Sequence, residues 1–466
     1  MKPLKPLNIS GFEVLPLVEG GKGVSISNGE SSGAWAAAGA VGTFSATNAD
    51  SFDSHGRPLP QTYFGKNRRE RFEELIAFAV QGGITQARRA YEVAGGRGPV
   101  HMNVLWEAGG TQRILHGILE GARGLIHGVT CGAGMPYKVA EIAAEYGVYY
   151  YPIVSSARAF RALWKRAYSK YDELLGGVVY EDPWLAGGHN GLSNSEDPTK
   201  PQDPYPRVAE LRATMRELGL DRTPIVMAGG VWFLRDWEDW IDNEELGPVA
   251  FQIGSRAILT QESPVAEAWK QRLLNLKPGD VFLNQFSPTG FYSSAVNNTF
   301  IQELRARSER QVAFTREPLG EHTEAFSVGA RGRIFYLTPA DKTRAESWTA
   351  EGFATPMPTP DSTIIFVTPE KAEEIRADQS GCMGCLSQCR FSNWADNEVG
   401  STGKLADPRS FCIQKTLQDI AHEGGDTDNN LMFAGHNAYK FADDPFYSNG
   451  FIPTVQQLID RMVTGD

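Results

Sequence analysis

The chain is poor in cysteine, has no long apolar run and carries no surplus of basic charge. Each shortage removes a class of protein. Five cysteines in 466 residues do not make a secreted scaffold held by disulfides. No stretch reaches the roughly 18 consecutive apolar residues of a membrane-crossing helix. Met1 to Ile9 hold two lysines and two prolines and no apolar run of signal-peptide length. A net charge of −11 argues against general nucleic-acid binding, because phosphate contacts need a basic footprint. No internal repeat or long low-complexity segment is visible.

What is present reads as a folded α/β chain. Hydrophobic residues at 41% and charged residues at 22% fit a globular protein and argue against disorder. Apolar runs rich in β-branched and aromatic residues recur at Leu15–Val18, Val41–Phe44, His101–Val104, Leu125–Val129, Val148–Ile153, Gly177–Tyr180, Pro224–Met227 and Ala250–Ile253. Helical stretches follow most of them, among them Tyr137–Glu145, Ala157–Lys170 and Val208–Leu218. Strands alternating with helices predict a parallel sheet, and eight strands are the number that closes a (β/α)8 TIM barrel. The barrel is expected over residues 1–275. It is interrupted at 50–98 by a charged insertion with a helix pair around Arg68–Val80 and Thr85–Val93. A C-terminal region carrying the cysteine site follows over 276–466.

Four groups of residues carry chemistry. Gly20-Gly21-Lys22-Gly23 ends the first strand, and Gly21 and Gly23 would let backbone approach a flat or anionic ligand. The competing reading is that they only shape turns. Gly229-Gly230 and Gly254-Ser255 follow the seventh and eighth strands. In such barrels these loops cradle phosphate with backbone N–H groups. His189, framed by Gly187 and Gly188, follows the sixth strand, where an imidazole can move a proton.

The fourth group is Cys382-x2-Cys385-x3-Cys389-x22-Cys412. Four clustered thiolates suit a [4Fe–4S] cluster in a reducing cytoplasm, with zinc as the alternative. His422 and His436 downstream keep zinc open. Cys131 stands apart and reads as a pocket-wall or core residue. His101 and His127 lie within apolar strands and read as satisfied core residues. Trp232, Trp237 and Trp240 read as packing.

Taken together these motifs resemble the nitronate monooxygenase (2-nitropropane dioxygenase-like) family, from Val18 to about Pro264. The resemblance rests on Gly20–Gly23, Asn103 after the third strand, Gly132-Ala133-Gly134, Gly187-Gly188-His189, Gly229-Gly230 and Gly254-Ser255-Arg256. It implies FMN on a TIM barrel. The phosphate would lie at Gly229, Gly230, Gly254 and Ser255, with Asn103 at the flavin ring, Lys138 as a further contact and His189 as the catalytic histidine. Ser255 stands where the family usually has Thr, which keeps the hydroxyl.

The added C-terminal residues and the cysteines depart from ordinary members. They resemble the branch holding FMN and a [4Fe–4S] cluster, the acyl-carrier-protein dehydrogenase/isomerases of unsaturated fatty acid biosynthesis; the flavin enoyl-ACP reductases are similar barrels, and an enoyl reductase activity is equally implied. That branch implies a small-molecule or carrier-bound acyl thioester substrate, and a homodimer is compatible with it. Lys66, Arg68, Arg69 and Arg71 are the candidate surface for docking an acidic carrier, with a solvated charged helix face as the competing reading. The alternative activity is nitronate oxidation with oxygen, in which His189 deprotonates the carbon bearing the nitro group.

Overall fold

The computed structural model describes residues 1–329, 332–422 and 425–466. All eight expected strands form. They are β1 (Leu17–Glu19), β2 (Gly42–Ser45), β3 (Val100–Leu105), β4 (Gly128–Gly132), β5 (Tyr149–Val154), β6 (Val178–Glu181), β7 (Ile225–Ala228) and β8 (Val249–Ile253). Neighbours pair in parallel around the sheet, and β8 pairs with β1 at Phe251 and Leu17. Val18 bridges Val41 in parallel, so the ring closes between β1 and β2. This is the (β/α)8 barrel. Its interior is packed by Val18, Val41, Tyr151, Val179, Val226 and Ala250. A hairpin, Leu7–Ile9 with Phe12–Val14, adds Ile9 and Val14 to that cluster.

Helices α1 (Gly29–Ala37), α2 (Arg68–Ala94), α3 (Thr111–Gly121), α4 (Val139–Tyr146), α5 (Ala157–Arg166) and α6 (Pro204–Glu217) follow β1 to β6 in turn. The expected helix pair is instead one helix. α2 runs unbroken for 27 residues, from the Asn67 cap to Gly95 in the left-handed conformation. The pair Gly82-Gly83 reads as a break in sequence, yet it serves close packing. A Cβ on Gly82 would come within 1.8 Å of the Ala49 carbonyl oxygen, and one on Gly83 within 2.2 Å of Ile118.

After β8 come the short helix α7 (Ser255–Ile258) and α8 (Glu267–Leu273). The antiparallel strands β9 (Val281–Asn284) and β10 (Ser293–Val296) then add a third strand borrowed from the barrel, Gly188–His189. A separate α/β layer follows. Gln311–Ala313, Thr363–Val367 and Thr355–Pro358 form its sheet, and Glu324–Val328 pairs with Arg333–Leu337. Phe314, Phe335, Leu337, Ile364 and Phe366 form its own core. It contains a repeated unit, contrary to the expectation of no internal repeat, and the sequence carries it as Ile334-Phe335-Tyr336-Leu337-Thr338-Pro339 and Ile364-Ile365-Phe366-Val367-Thr368-Pro369. Arg333–Leu337 leads through a Thr338 cap and Pro339 into the 12-residue helix α9 (Pro339–Ala350). Thr363–Val367 leads through a Thr368 cap and Pro369 into α10 (Pro369–Ser380), also 12 residues. The cysteine segment, α11 (Ile413–His422) and the final helix α12 (Val455–Val463) complete the chain. No helix among the described residues is long and apolar enough to cross a membrane.

Candidate active site

A cavity of about 210 Å³ opens where the C-terminal ends of the barrel strands meet the C-terminal region. Gly21, Gly23, Asn103, Gly188, His189, Gly229, Gly230, Gly254 and Ser255 all line it. The exception among the expected catalytic and flavin-contacting residues is Lys138. It is exposed at the start of α4 and is not part of the lining. Of the four expected cysteine ligands only Cys385 lines the cavity.

One end of the cavity is formed by the turns after β7 and β8. Gly229 and Gly230 have φ of 91° and 78°, which only glycine adopts without strain. A Cβ on Gly254 would meet nothing within 4 Å, so open space lies directly beside that backbone. This is the form of an anion cradle. The segment Phe433–Ala438, far away in sequence, closes over it. Gly435 N–H donates to Ser255 Oγ at 2.8 Å, and the Asn437 amide donates to the Gly230 carbonyl at 2.7 Å. Gly187 permits the crossing, since a Cβ there would stand 2.6 Å from the Ala434 carbonyl carbon. Arg256 is locked behind, donating to the Trp232 carbonyl at 2.8 Å and paired with the buried Asp444 at 3.7 Å.

Opposite, polar side chains face the cavity. Gly21 exists for one of them, because a Cβ there would lie 2.3 Å from Asn103 Cγ. Glu181 at the end of β6 and Gln252 in β8 line the same cavity; both escaped the sequence reading. The signal for Glu181 was available, a carboxylate at the C-terminal end of a barrel strand. Burial and the neighbouring Asp182 push the Glu181 carboxyl up to about 8, so it is a hydrogen-bond donor at neutral pH. Lys22 also lines the cavity. Its ammonium pairs with the buried Glu19 at 2.6 Å. Glu19 also accepts from Ser31 Oγ at 2.6 Å and from Thr43 N–H at 3.0 Å.

His189 sits on the borrowed strand, paired with Ser293 of β10. Its Nε2 lies 2.6 Å from Ser287 Oγ, and its ring meets Phe433 edge-on at 5.3 Å. Burial lowers its pKa to about 4, which keeps the imidazole neutral and able to accept a proton at pH 7. His101 and His127 are satisfied in the barrel wall, as expected. His101 Nε2 meets Ser10 Oγ at 2.9 Å, and His127 Nδ1 accepts from Val100 N–H at 3.1 Å.

The cysteine segment forms part of the same wall, where Cys385 and Leu386 line the cavity. It docks on the loop after β3. Gly109 N–H donates to the Cys385 carbonyl at 3.1 Å, and Ser387 Oγ donates to Glu107 at 2.7 Å. Burial pushes the thiols up, Cys389 to about 11 and Cys412 to about 12, and Cys385 also rises. Each of these three thiols is raised further by charge on other cysteines of the group. Donors surround the sulfurs. Ser392 Oγ donates to Cys382 Sγ at 3.1 Å and Gly384 N–H at 3.4 Å. Backbone N–H groups of Gln414 and Lys415 serve Cys385 and Cys412.

Among the described residues no group of three or more His, Cys, Asp or Glu is set to hold a metal ion. The two histidines that kept zinc open are engaged elsewhere. His422 Nε2 meets Asp50 at 2.8 Å and His436 Nε2 meets Ser294 Oγ at 3.0 Å.

The arginines expected to dock a carrier protein are turned inward. Arg68 donates to the Ser392 and Gln379 carbonyls, both at 2.9 Å. Arg71 donates to the Cys382 carbonyl at 3.1 Å and to that of Ser380 at 2.9 Å. Arg69 lies over the Trp394 ring at 5.1 Å. The start of α2 therefore clamps the cysteine segment.

The family model for nitronate monooxygenase matches residues 119–465, well over half of the chain and beyond the barrel. The chain belongs to the nitronate monooxygenase family. It is accordingly an FMN-dependent oxidoreductase. Two solved structures share the fold across nearly the whole length. FabK from Thermotoga maritima is 15% identical, with 97% of this chain and 92% of that one covered and a TM-score of 0.52. The enoyl reductase domain of MlnA, from the macrolactin biosynthesis cluster of Bacillus amyloliquefaciens, is 12% identical, covering 97% and 93% with a TM-score of 0.55. No curated protein matches the chain significantly.

Proposed function

We propose that this enzyme oxidises or isomerises an acyl thioester, in the manner of acyl-carrier-protein dehydrogenase/isomerases of unsaturated fatty acid synthesis. The observation that carries the reading is a neutral, desolvated His189 in one cavity with a glycine phosphate cradle and the wall formed by Cys385. The residues fit FMN. Gly229, Gly230, Gly254 and Ser255 would hold its phosphate, and Gly21, Gly23, Asn103 and Gly188 would pack along the ring. Glu181 and Gln252 would be polar partners for it. FMN, when bound, supplies a hydride acceptor and donor.

His189 would remove the proton next to the thioester carbonyl, and the same nitrogen could return it to another carbon for isomerisation. Cys382, Cys385, Cys389 and Cys412 would hold a [4Fe–4S] cluster, a source of one-electron transfer beside the flavin site. The donors around the sulfurs would stabilise them as thiolates.

The nitronate reading keeps His189 as base and is favoured by the family match. It has no use for the cysteine segment clamped beside the cavity. Anaerobic purification followed by iron, acid-labile sulfide and flavin analysis separates the readings. Iron and sulfide with FMN, and flavin reduced by a saturated acyl pantetheine thioester, are expected. Zinc without iron, or turnover of propyl nitronate alone, would reverse the order.

A further inference from the structure

We infer that Ser287 and Thr289 form a two-hydroxyl relay that carries the proton between His189 and solvent. The inference rests on the reading of His189 as the proton-transfer group and adds where that proton goes. Ser287 is 2% exposed, so its hydroxyl has no access to bulk water. Its Oγ lies 2.6 Å from His189 Nε2 and 2.9 Å from Thr289 Oγ1. It also accepts the Thr289 N–H at 3.3 Å, while Thr289 Oγ1 accepts the Phe291 N–H at 3.2 Å. Thr289 itself is half-buried, less enclosed than Ser287.

The geometry supports two complete hydrogen-bond directions. In the first, His189 Nε2–H donates to Ser287, Ser287 donates to Thr289, and Thr289 donates outward. Nδ1 is then a free base. In the second, Thr289 donates to Ser287 and Ser287 donates to Nε2, so the neutral ring carries its proton on Nδ1. Each hydroxyl has one donor and enough acceptor capacity in both states. Moving from the first to the second balances. One proton passes from substrate carbon to Nδ1, the Nε2 proton passes to Ser287, the Ser287 proton passes to Thr289, and the Thr289 proton leaves to water. The ring ends neutral, in its other tautomer.

This resolves a difficulty of the site. Burial holds the His189 pKa near 4, so an imidazolium is costly there. A relay that exports one proton as another arrives never lets that cation accumulate. The other ionisable groups facing the cavity are Glu181, Arg256, Cys385 and Lys22, the last paired with Glu19; none of them has a hydrogen bond with Ser287 or Thr289 among the described residues.

Three measurements test it. In 15N-histidine spectra the His189 signals, assigned by their loss in His189→Ala, should report one dominant tautomer protonated on Nε2. Ser287→Ala should give a mixture of tautomers. Thr289→Val keeps the shape and the backbone N–H bond to Ser287 but removes the hydroxyl that meets Ser287 Oγ, and should slow flavin reduction by decanoyl-pantetheine about tenfold or more. Added imidazole should restore the rate, and Thr289→Ser should keep it. In mixed H2O and D2O the wild-type rate should require more than one proton in flight. Wild-type speed in Thr289→Val, or a single-proton isotope response, overturns the relay. If His189→Ala itself reduces flavin at full rate, the reading of His189 falls instead.

Discussion

His189 and Glu181 face one cavity with opposite displacements, and both arise from desolvation. Loss of charge is favoured in each, so the imidazole becomes a neutral base and the carboxyl a neutral acid. His189→Ala should retain FMN and lose at least about 100-fold in flavin reduction, the usual size of a general acid–base contribution. Stopped-flow absorbance on the flavin-loaded variant checks this. Glu181 gives a stability test with a definite sign. Its folded pKa, about 8, lies above that of an unfolded chain. Its neutral form therefore favours the fold below about pH 4.5, and that contribution is lost as pH rises through 8. Glu181→Gln should raise the unfolding midpoint relative to wild type above pH 8 and have little effect near pH 4.5. Thermal unfolding of both proteins across that range decides it. The sequence made His189 visible because glycines frame it at a strand end. Glu181 and Gln252 sit at the ends of apolar strands with no such frame, and only the closed barrel reveals which way they face.

At the scale of elements, two features reverse what their residues suggest alone. Gly82-Gly83 looks like a helix break because glycine has poor helix propensity. In α2 the missing side chains let the helix touch Ala49 and Ile118. Gly82→Ala should destabilise by about 1–3 kcal/mol or more, since backbone must move. Gly83→Ala should cost less because the facing group is the end of a flexible side chain. Denaturant melts of the pair test the ranking. Likewise Arg68, Arg69 and Arg71 look like a docking face, yet their guanidinium groups hold or cover the cysteine segment. A paired Arg68→Ala and Arg71→Ala variant should lose the proposed [4Fe–4S] cluster faster than wild type while keeping FMN. Iron retention during dialysis against a chelator measures it. Spacing cannot foresee such a contact, because more than 300 residues separate its partners.

Across the whole molecule, the eight strands and their order were legible because apolar β-branched runs alternate with helices. The lid was not. The barrel supplies glycine turns, and Phe433–Ala438 closes them through Ser255 and Gly230. β10 holds the strand of His189, and Ser287 contacts its ring. The site therefore belongs to both halves of the chain. The central claim is that this composite cavity performs acyl-thioester redox chemistry through His189. Its most direct test is an anaerobic titration of the purified protein with a saturated acyl pantetheine thioester, following the oxidised-flavin absorbance. Bleaching in wild type and its absence in His189→Ala are predicted. Bleaching by propyl nitronate but not by the thioester, or an undiminished response in His189→Ala, would contradict the account.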